Sequence, residues 1–370
     1  MLKQYKLRNY HFQLIVYISI LTVIGILLIG SAEPSVQKKQ IVGFAAGLLI
    51  MVVISLMDYS FILKFTWLYY VGICALLALI LSDVLGRTTK GAQRWIEIAG
   101  FRFQPSELAK IVIILFFAAY FMKYSETLNT AKTLIISFVL AGIPLLLILK
   151  QPDTSTTIAI ALIFIILLFI AGLSYKIVVT VIAICIPVGI IGISYILKLA
   201  QTSDDYRFGR IMSWLYPTDP RWSELAAQQQ NSIMAIGSGQ LWGKGLNNSV
   251  ATSMKNANYI IEPQTDFIFA VAGEELGFVG TVAIIVLLFL IVIECILIGR
   301  RAKDLAGRLI CCGMAALVGF QSFINICVAT GLMPNTGIPL PFVSYGLTSL
   351  LSLFIGMGFV LNVGLQPKKY

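Results

Sequence analysis

The stretch EPQTDFIFAVAGEELGFVG, Glu262 to Gly280, sets four carboxylates against the start of a long apolar run. A carboxylate near lipid is costly and is held there by a partner or by a function. On a helix beginning at Asp266, the residues Asp266, Ala270, Gly273, Gly277 and Gly280 share one narrow face. Below the acid that face is small, so another helix can approach it closely. Asp266 follows Pro263 and Thr265 and has two readings. It is a cap or first-turn acid, contributing ~0.5–2 kcal/mol to the helix. Or it is a general base at the water–lipid boundary, where a membrane-anchored substrate presents its polar head. Glu274 and Glu275 lie about two turns deeper and read as structural pairs inside a bundle.

Three further constellations carry chemistry. In QPSELAK, Pro105 suits the first helical position, Glu107 falls in the first turn, and Lys110 is placed to meet it on the helix surface. Such a pair just inside a span reads as a functional site or as a bridge that fixes the helix; Lys110 then holds Glu107 or Asp266 in the right charge state. In KQPDTSTT, Asp153 is an N-cap. In GLMPNTGIPLPFVSYGLTSL, Gly331 to Leu350, prolines and glycines force non-helical backbone between two apolar runs. Such backbone is tolerated at membrane depth where it lines a cavity; Ser344, in this stretch, and Thr265, beside Asp266, are candidates to touch a ligand.

The elements that must position these residues are helices in a bilayer. The chain has 370 residues, 58% hydrophobic and 12% charged, with a mean hydropathy of +0.90. A soluble protein could not hide that much apolar surface. The apolar runs do not alternate as barrel strands do, so the expected fold is all-α and polytopic, a single unit over 1–370. About ten spans are expected, at roughly 12–31, 41–57, 66–84, 106–122, 133–149, 155–172, 176–198, 266–298, 308–332 and 343–364. The eighth is too long for one straight crossing and begins outside the hydrocarbon or tilts. Residues 199–265 form a long loop between the seventh and eighth spans, and WSELAAQQQNSIMAIGSGQLWGKGL predicts a partly buried helix within it. Lys3, Lys6, Arg8, Arg300, Arg301, Lys303, Arg308, Lys368 and Lys369 then fall on one side, which is cytoplasmic by the positive-inside rule, with both termini inside.

Two loops on the other side break that rule. One carries Arg87, Lys90, Arg94 and Arg102; the other carries Arg207, Arg210, Arg221, Lys244 and Lys255. With a net charge of +10, basic groups on the outer side suggest anionic lipid headgroups or a phosphorylated lipid substrate rather than nucleic acid. The single histidine, His11, makes a zinc site or a histidine relay a poor expectation, and the six cysteines lie in apolar runs without metal or redox spacing. No cleavable signal peptide is evident.

Taken together, KGAQRWI, FQPSELAK, QPD, QNSIMAIGSGQLWGKGL, TDFIFAVAGEELGFVG and GIPLPFVSYGLTSL, in this order across nearly the whole chain, resemble the SEDS family of bacterial membrane proteins, the group of RodA, FtsW and SpoVE. AIGSGQLWGKGL and GIPLPF are more similar to the RodA, or elongation, branch than to the division branch. The resemblance implies a peptidoglycan glycosyltransferase that polymerises lipid II at the outer face of the cytoplasmic membrane, releases undecaprenyl diphosphate, and works with a class B penicillin-binding protein. It places the family's essential aspartate at Asp266 and its paired Glu and Lys at Glu107 and Lys110. Arg87, Lys90, Arg94, Arg207, Arg210 and Lys244, with Thr265, Asp153 and Ser344, are the expected substrate contacts. No cofactor is required by this reading. A divalent cation, Mg or Mn, is compatible with it, although no dense carboxylate cage is visible. The chain departs from the family pattern at Ile261, Pro263, Thr154 to Thr156 and Leu347. The competing readings are a transporter that flips lipid II, and a scaffold that recruits a cross-linking partner.

Overall fold

A computed structural model describes residues 10–81, 87–89, 92–98, 101–180, 183, 206–247, 253–255 and 259–366. The helices are α1 (Phe12–Ala32), α2 (Pro34–Ser55), α3 (Thr66–Ile80), α4 (Pro105–Lys123), α5 (Ala131–Lys150), α6 (Thr154–Ile170), α7 (Tyr206–Leu215), α8 (Ser223–Ser238), α9 (Ile268–Arg300), α10 (Leu305–Ala329) and α11 (Leu347–Leu365). A short turn, Tyr59–Ile62, and a 3-10 segment lead into α3. Eight of these segments are long and apolar enough to cross a membrane, and α6 is apolar but shorter. The seventh expected span, 176–198, lies almost wholly outside the described residues; residues 175–180 are helical.

Local sequence sets the helix starts. Pro34 and Pro105 open α2 and α4, where the missing N–H costs nothing. Thr130, Asp153 and Asp304 cap α5, α6 and α10 with side-chain oxygens that accept from backbone N–H groups. Burial then sorts the helices. In α4, 83% of the apolar window is buried, and in α11, 78%; in α2, α5 and the span leading through α3 it is 28%. So α4, α10 and α11 form the interior, while α2, α3 and α5 turn side chains such as Leu49, Leu68, Ile135 and Leu146 outward, where lipid replaces protein as the apolar neighbour. Glycines let α2 and α11 meet closely: Gly43 faces Leu347, and Gly47 lies against the Phe354 ring.

The expected all-α, polytopic fold is the one observed, with one small addition: β1 (Arg87–Thr89), β2 (Ala92–Ile98) and β3 (Phe101–Phe103) form an antiparallel sheet ahead of α4. Ile96 pairs with Phe103, and Glu97 with Arg102. The segment is rich in β-branched and aromatic residues, and pairing satisfies backbone groups that a loose loop would leave bare. The eighth span, expected to be too long for one straight crossing, is interrupted. Gly277 has φ 65° and ψ −165° and breaks α9 between the Glu pair and the long apolar run. The span's excess length is absorbed by that break.

Candidate functional site

Asp266 sits in the turn that leads into α9. Phe267 occupies the N-cap position, no side chain caps the helix, and its first turn holds no acid. Asp266 therefore stands one residue ahead of the N-cap position, and its half-buried side chain belongs to a surface beside the helix end. Three successive carbonyls hold this turn. Gln264 O accepts from Tyr345 N at 2.8 Å, Thr265 O from Ser344 Oγ at 2.7 Å, and Asp266 O from Asn325 Nδ2 at 2.8 Å. Ser344 Oγ also accepts from Leu340 N at 2.8 Å, and Thr265 Oγ1 donates to Glu262 O at 3.0 Å. Ser344 and Thr265 are thus engaged in shaping the turn.

The wall opposite is the 331–346 segment, whose course rests on left-handed backbone at Gly331 and Gly337. A Cβ added at Gly337 would lie 3.4 Å from Asp266 Oδ2 and 3.8 Å from Arg210 Nη1. A carboxylate from the α9 turn and a guanidinium from α7 thus reach the same small space, kept open by the lack of a side chain. Ser155 Oγ donates to Thr336 O and ties this wall to the start of α6. There Asp153, buried, accepts from Thr156 N at 3.1 Å and from Thr156 Oγ1 at 2.9 Å. Gln104 Nε2 reaches Asp153 Oδ2 at 3.5 Å, and Gln104 N donates to Thr348 Oγ1 at 3.4 Å. Burial pushes the Tyr345 phenol above its usual range, and the charge of Arg102 pulls against that shift.

The other expected residues separate into distinct places. Lys110 Nζ donates to Glu107 Oε1 at 2.8 Å, both side chains almost fully buried on the inner face of α4. Arg94 donates to the carbonyls of Gln151 (3.1 Å) and Pro152, bracing the end of α5. Lys244 Nζ donates to Glu274 Oε1 at 2.8 Å. Arg221 is exposed and pairs with Asp219 at 2.7 Å. Lys90 and the side chains of Arg87 and Arg207 lie outside the described residues.

The Glu pair has the structural role its depth suggested. Glu274 also accepts from Met254 N (2.9 Å) and Lys255 N (3.3 Å), and Glu275 from Lys255 Nζ (2.5 Å) and Ser31 Oγ. The break at Gly277 exposes backbone groups that the 240–245 segment satisfies: Phe278 N donates to Gln240 O at 2.8 Å, and Lys244 N to Glu274 O at 2.9 Å. The small face is used as expected, since α8 approaches it until a Cβ on Gly273 would stand 3.0 Å from Ile236 Cα. Asn325, buried in α10, was missed. Its signal was an amide in an apolar run, where an unpartnered polar group is expensive. Among the described residues, no three His, Cys, Asp or Glu side chains gather as a metal site would need.

Residues 3–369 match the family described as cell cycle protein, FtsW/RodA/SpoVE. Over 338 residues the chain is 34% identical to the probable peptidoglycan glycosyltransferase FtsW of Geobacter sulfurreducens, covering 90% of this chain and 86% of that one. It is also 34% identical over 338 residues to the peptidoglycan glycosyltransferase MrdB of Escherichia coli K12, covering 91% and 87%. Relatives of both names thus match equally well. Among solved structures, a chain from work titled "Structural coordination of polymerization and crosslinking by a peptidoglycan synthase complex" superposes with a TM-score of 0.77 and 26% identity, over 96% of this chain and 97% of that one. The rod shape determining protein RodA of Thermus thermophilus gives a TM-score of 0.69 and 26% identity, over 98% of each chain.

Proposed function

The chain belongs to the FtsW/RodA/SpoVE family, and on that premise we propose that it is a peptidoglycan glycosyltransferase that extends glycan strands from lipid II. The observation that carries the proposal is that Asp266 Oδ2 and Arg210 Nη1 both lie within 4 Å of the point where a Cβ on Gly337 would stand. Asp266 takes the proton from the acceptor sugar's 4-hydroxyl as that oxygen attacks the anomeric carbon of the donor strand. The bond from that carbon to the diphosphate breaks, and undecaprenyl diphosphate leaves with the electron pair. Attack opposite an α-linked leaving group gives a β-linked strand in one inverting step. The Arg210 guanidinium, planar and permanently charged, stabilises the negative charge that builds on the diphosphate.

The protein is a multi-pass membrane protein; eight of its segments are long and apolar enough to span. We place Asp266 on the outer face, with both termini cytoplasmic. The similarity to a peptidoglycan synthase complex supports a class B penicillin-binding protein as partner, and AIGSGQLWGKGL and GIPLPF favour the elongation role. The test is polymerisation of purified lipid II, with and without that partner. Asp266→Ala should lower the rate by about 10²- to 10⁴-fold, the usual worth of a general base, in a protein that stays folded. Near-normal polymerisation in that variant refutes the assignment. Movement of labelled lipid II across proteoliposomes without strand growth would favour the flippase reading instead.

A further inference from the structure

We infer that Asn325 is a positioning residue for Asp266, setting the base and the opposite wall of its site with one amide group. This rests on Asp266 being the base. Asn325 Nδ2 donates at 2.8 Å to the carbonyl of Asp266 itself and at 2.7 Å to the carbonyl of Ile338. Ile338 follows Gly337, the residue over which Asp266 and Arg210 meet. Both hydrogens of a single buried amide therefore fix the two backbones whose separation defines the reaction space. The amide's orientation is unambiguous, because the flipped form would face two carbonyls with a third oxygen.

The arrangement is more than generic packing. Asn325 Oδ1 is buried with no partner among the described residues, so the bonds that the described structure gives this amide are the two it donates. An apolar residue of similar size would fill the same volume and would lose that pair of donors, leaving two buried carbonyls without them. The carbonyls of Gln264 and Thr265 already have their own anchors in Tyr345 N and Ser344 Oγ. The Asp266 carbonyl, the one on the residue that does chemistry, is the one given to a helix side chain rather than to the neighbouring loop. Helix α10 is inner and well buried, which makes it the stiffer support.

The experiment compares wild type, Asn325→Ala, Asn325→Asp and Asp266→Ala in lipid II polymerisation with the partner bound, each checked for folding by thermal unfolding in detergent. Asn325→Ala should lower kcat by roughly 10- to 100-fold, the scale of a displacement of about 1 Å at a reacting group, with KM for lipid II within about twofold. Asn325→Asp keeps the shape and loses the donors when ionised. Its buried carboxyl faces two carbonyls and should protonate well above the usual carboxylate range. Protonated, it donates one bond; ionised, it repels both carbonyls. Its activity should therefore fall as pH rises through neutrality, where the wild type, limited on the acid side by protonation of its base, holds steady. A loss confined to KM, or kcat within twofold of wild type in both Asn325 variants, overturns the inference, as does an Asn325→Asp profile parallel to wild type. Polymerisation surviving in Asp266→Ala overturns the underlying assignment of the base and this inference with it. If Asn325→Ala does not fold, the pH profile of Asn325→Asp decides alone.

Discussion

Gly337 offers a way to separate strain from occlusion at the reaction space. Its φ of +74° is a conformation that costs an ordinary L-residue about 1–2 kcal/mol. Its missing Cβ would stand 3.4 Å from Asp266 Oδ2 and 3.8 Å from Arg210 Nη1. Those are ordinary contact distances, so Gly337→Ala fits sterically and its stability loss should be the backbone cost alone, about 1–2 kcal/mol. The methyl nevertheless takes the place of an acceptor oxygen, which must come within about 3 Å of the base to lose its proton. Polymerisation should fall about 100-fold or more, equivalent to roughly 2.7 kcal/mol in the barrier. Gly337→Asn sharpens the test. Asparagine tolerates left-handed backbone better than alanine but fills more space. Occlusion predicts that Asn is the more stable variant and the less active one; strain predicts that activity follows stability. Thermal unfolding in detergent and lipid II polymerisation on the same preparations give both orders. Near-wild-type activity in Gly337→Ala, or activity ranking with stability across the two variants, would refute the claim that reacting atoms occupy this space.

Two further outcomes test the supports of the site. Glu274→Ala removes a buried acceptor shared by Lys244 Nζ, Met254 N and Lys255 N; it should cost about 3–5 kcal/mol, the usual penalty for stranding one member of a buried pair, and speed proteolysis within 240–255, read by thermal shift and limited digestion. Lys110→Met strands Glu107 in the bundle interior and should lower the melting temperature clearly, whereas Glu107→Gln with Lys110→Met removes both charges and should recover most of it; a double variant no better than the single would show that the pair does more than balance itself.

The helices were legible because the apolar runs are long and the bilayer admits few alternatives for backbone bonding. Asp266 stood out because an acid at the mouth of such a run is expensive enough to need a reason, and the structure places it in the turn ahead of α9. The start of α2 was less visible: PSVQKKQ is polar, yet it is helical from Pro34. The break at Gly277 was hidden for a different cause. GEELGF reads as unbroken helix, and the interruption pays its way only because the 240–245 segment supplies the bonds the helix gives up. The basic loops show the same limit, since counting cations says nothing of where each finds its partner. Lys244 went to Glu274 and Arg94 to two carbonyls, while Arg210 came to Asp266's wall. Asn325 was overlooked inside a run counted only as a span, where its one unusual property is its polarity.

The four carboxylates of the opening stretch divide their work along the chain. Helix α8 sits on Gly273, and Gly239 lies against Gly273 O, so the outer segment touches α9 backbone to backbone. Just below, Glu274 and Glu275 grip Lys244 and Lys255, and the break at Gly277 takes in Gln240 and Leu241. Helix α7, which carries Arg210, packs on α8. The helix that carries Arg210 thus rests, through α8, on a seam of glycines about two turns deeper than Asp266, which no side chain can enter without displacing α8. Asp266 stands just ahead of α9, at the helix end that favours negative charge, and its own backbone answers to α10 through Asn325. The two supports are joined: on α8, Ser232 Oγ and Gln229 Nε2 donate at 2.8 Å to the carbonyls of Ala329 and Val328, at the end of the helix that carries Asn325, so Asp266 and Arg210 are held by one connected frame.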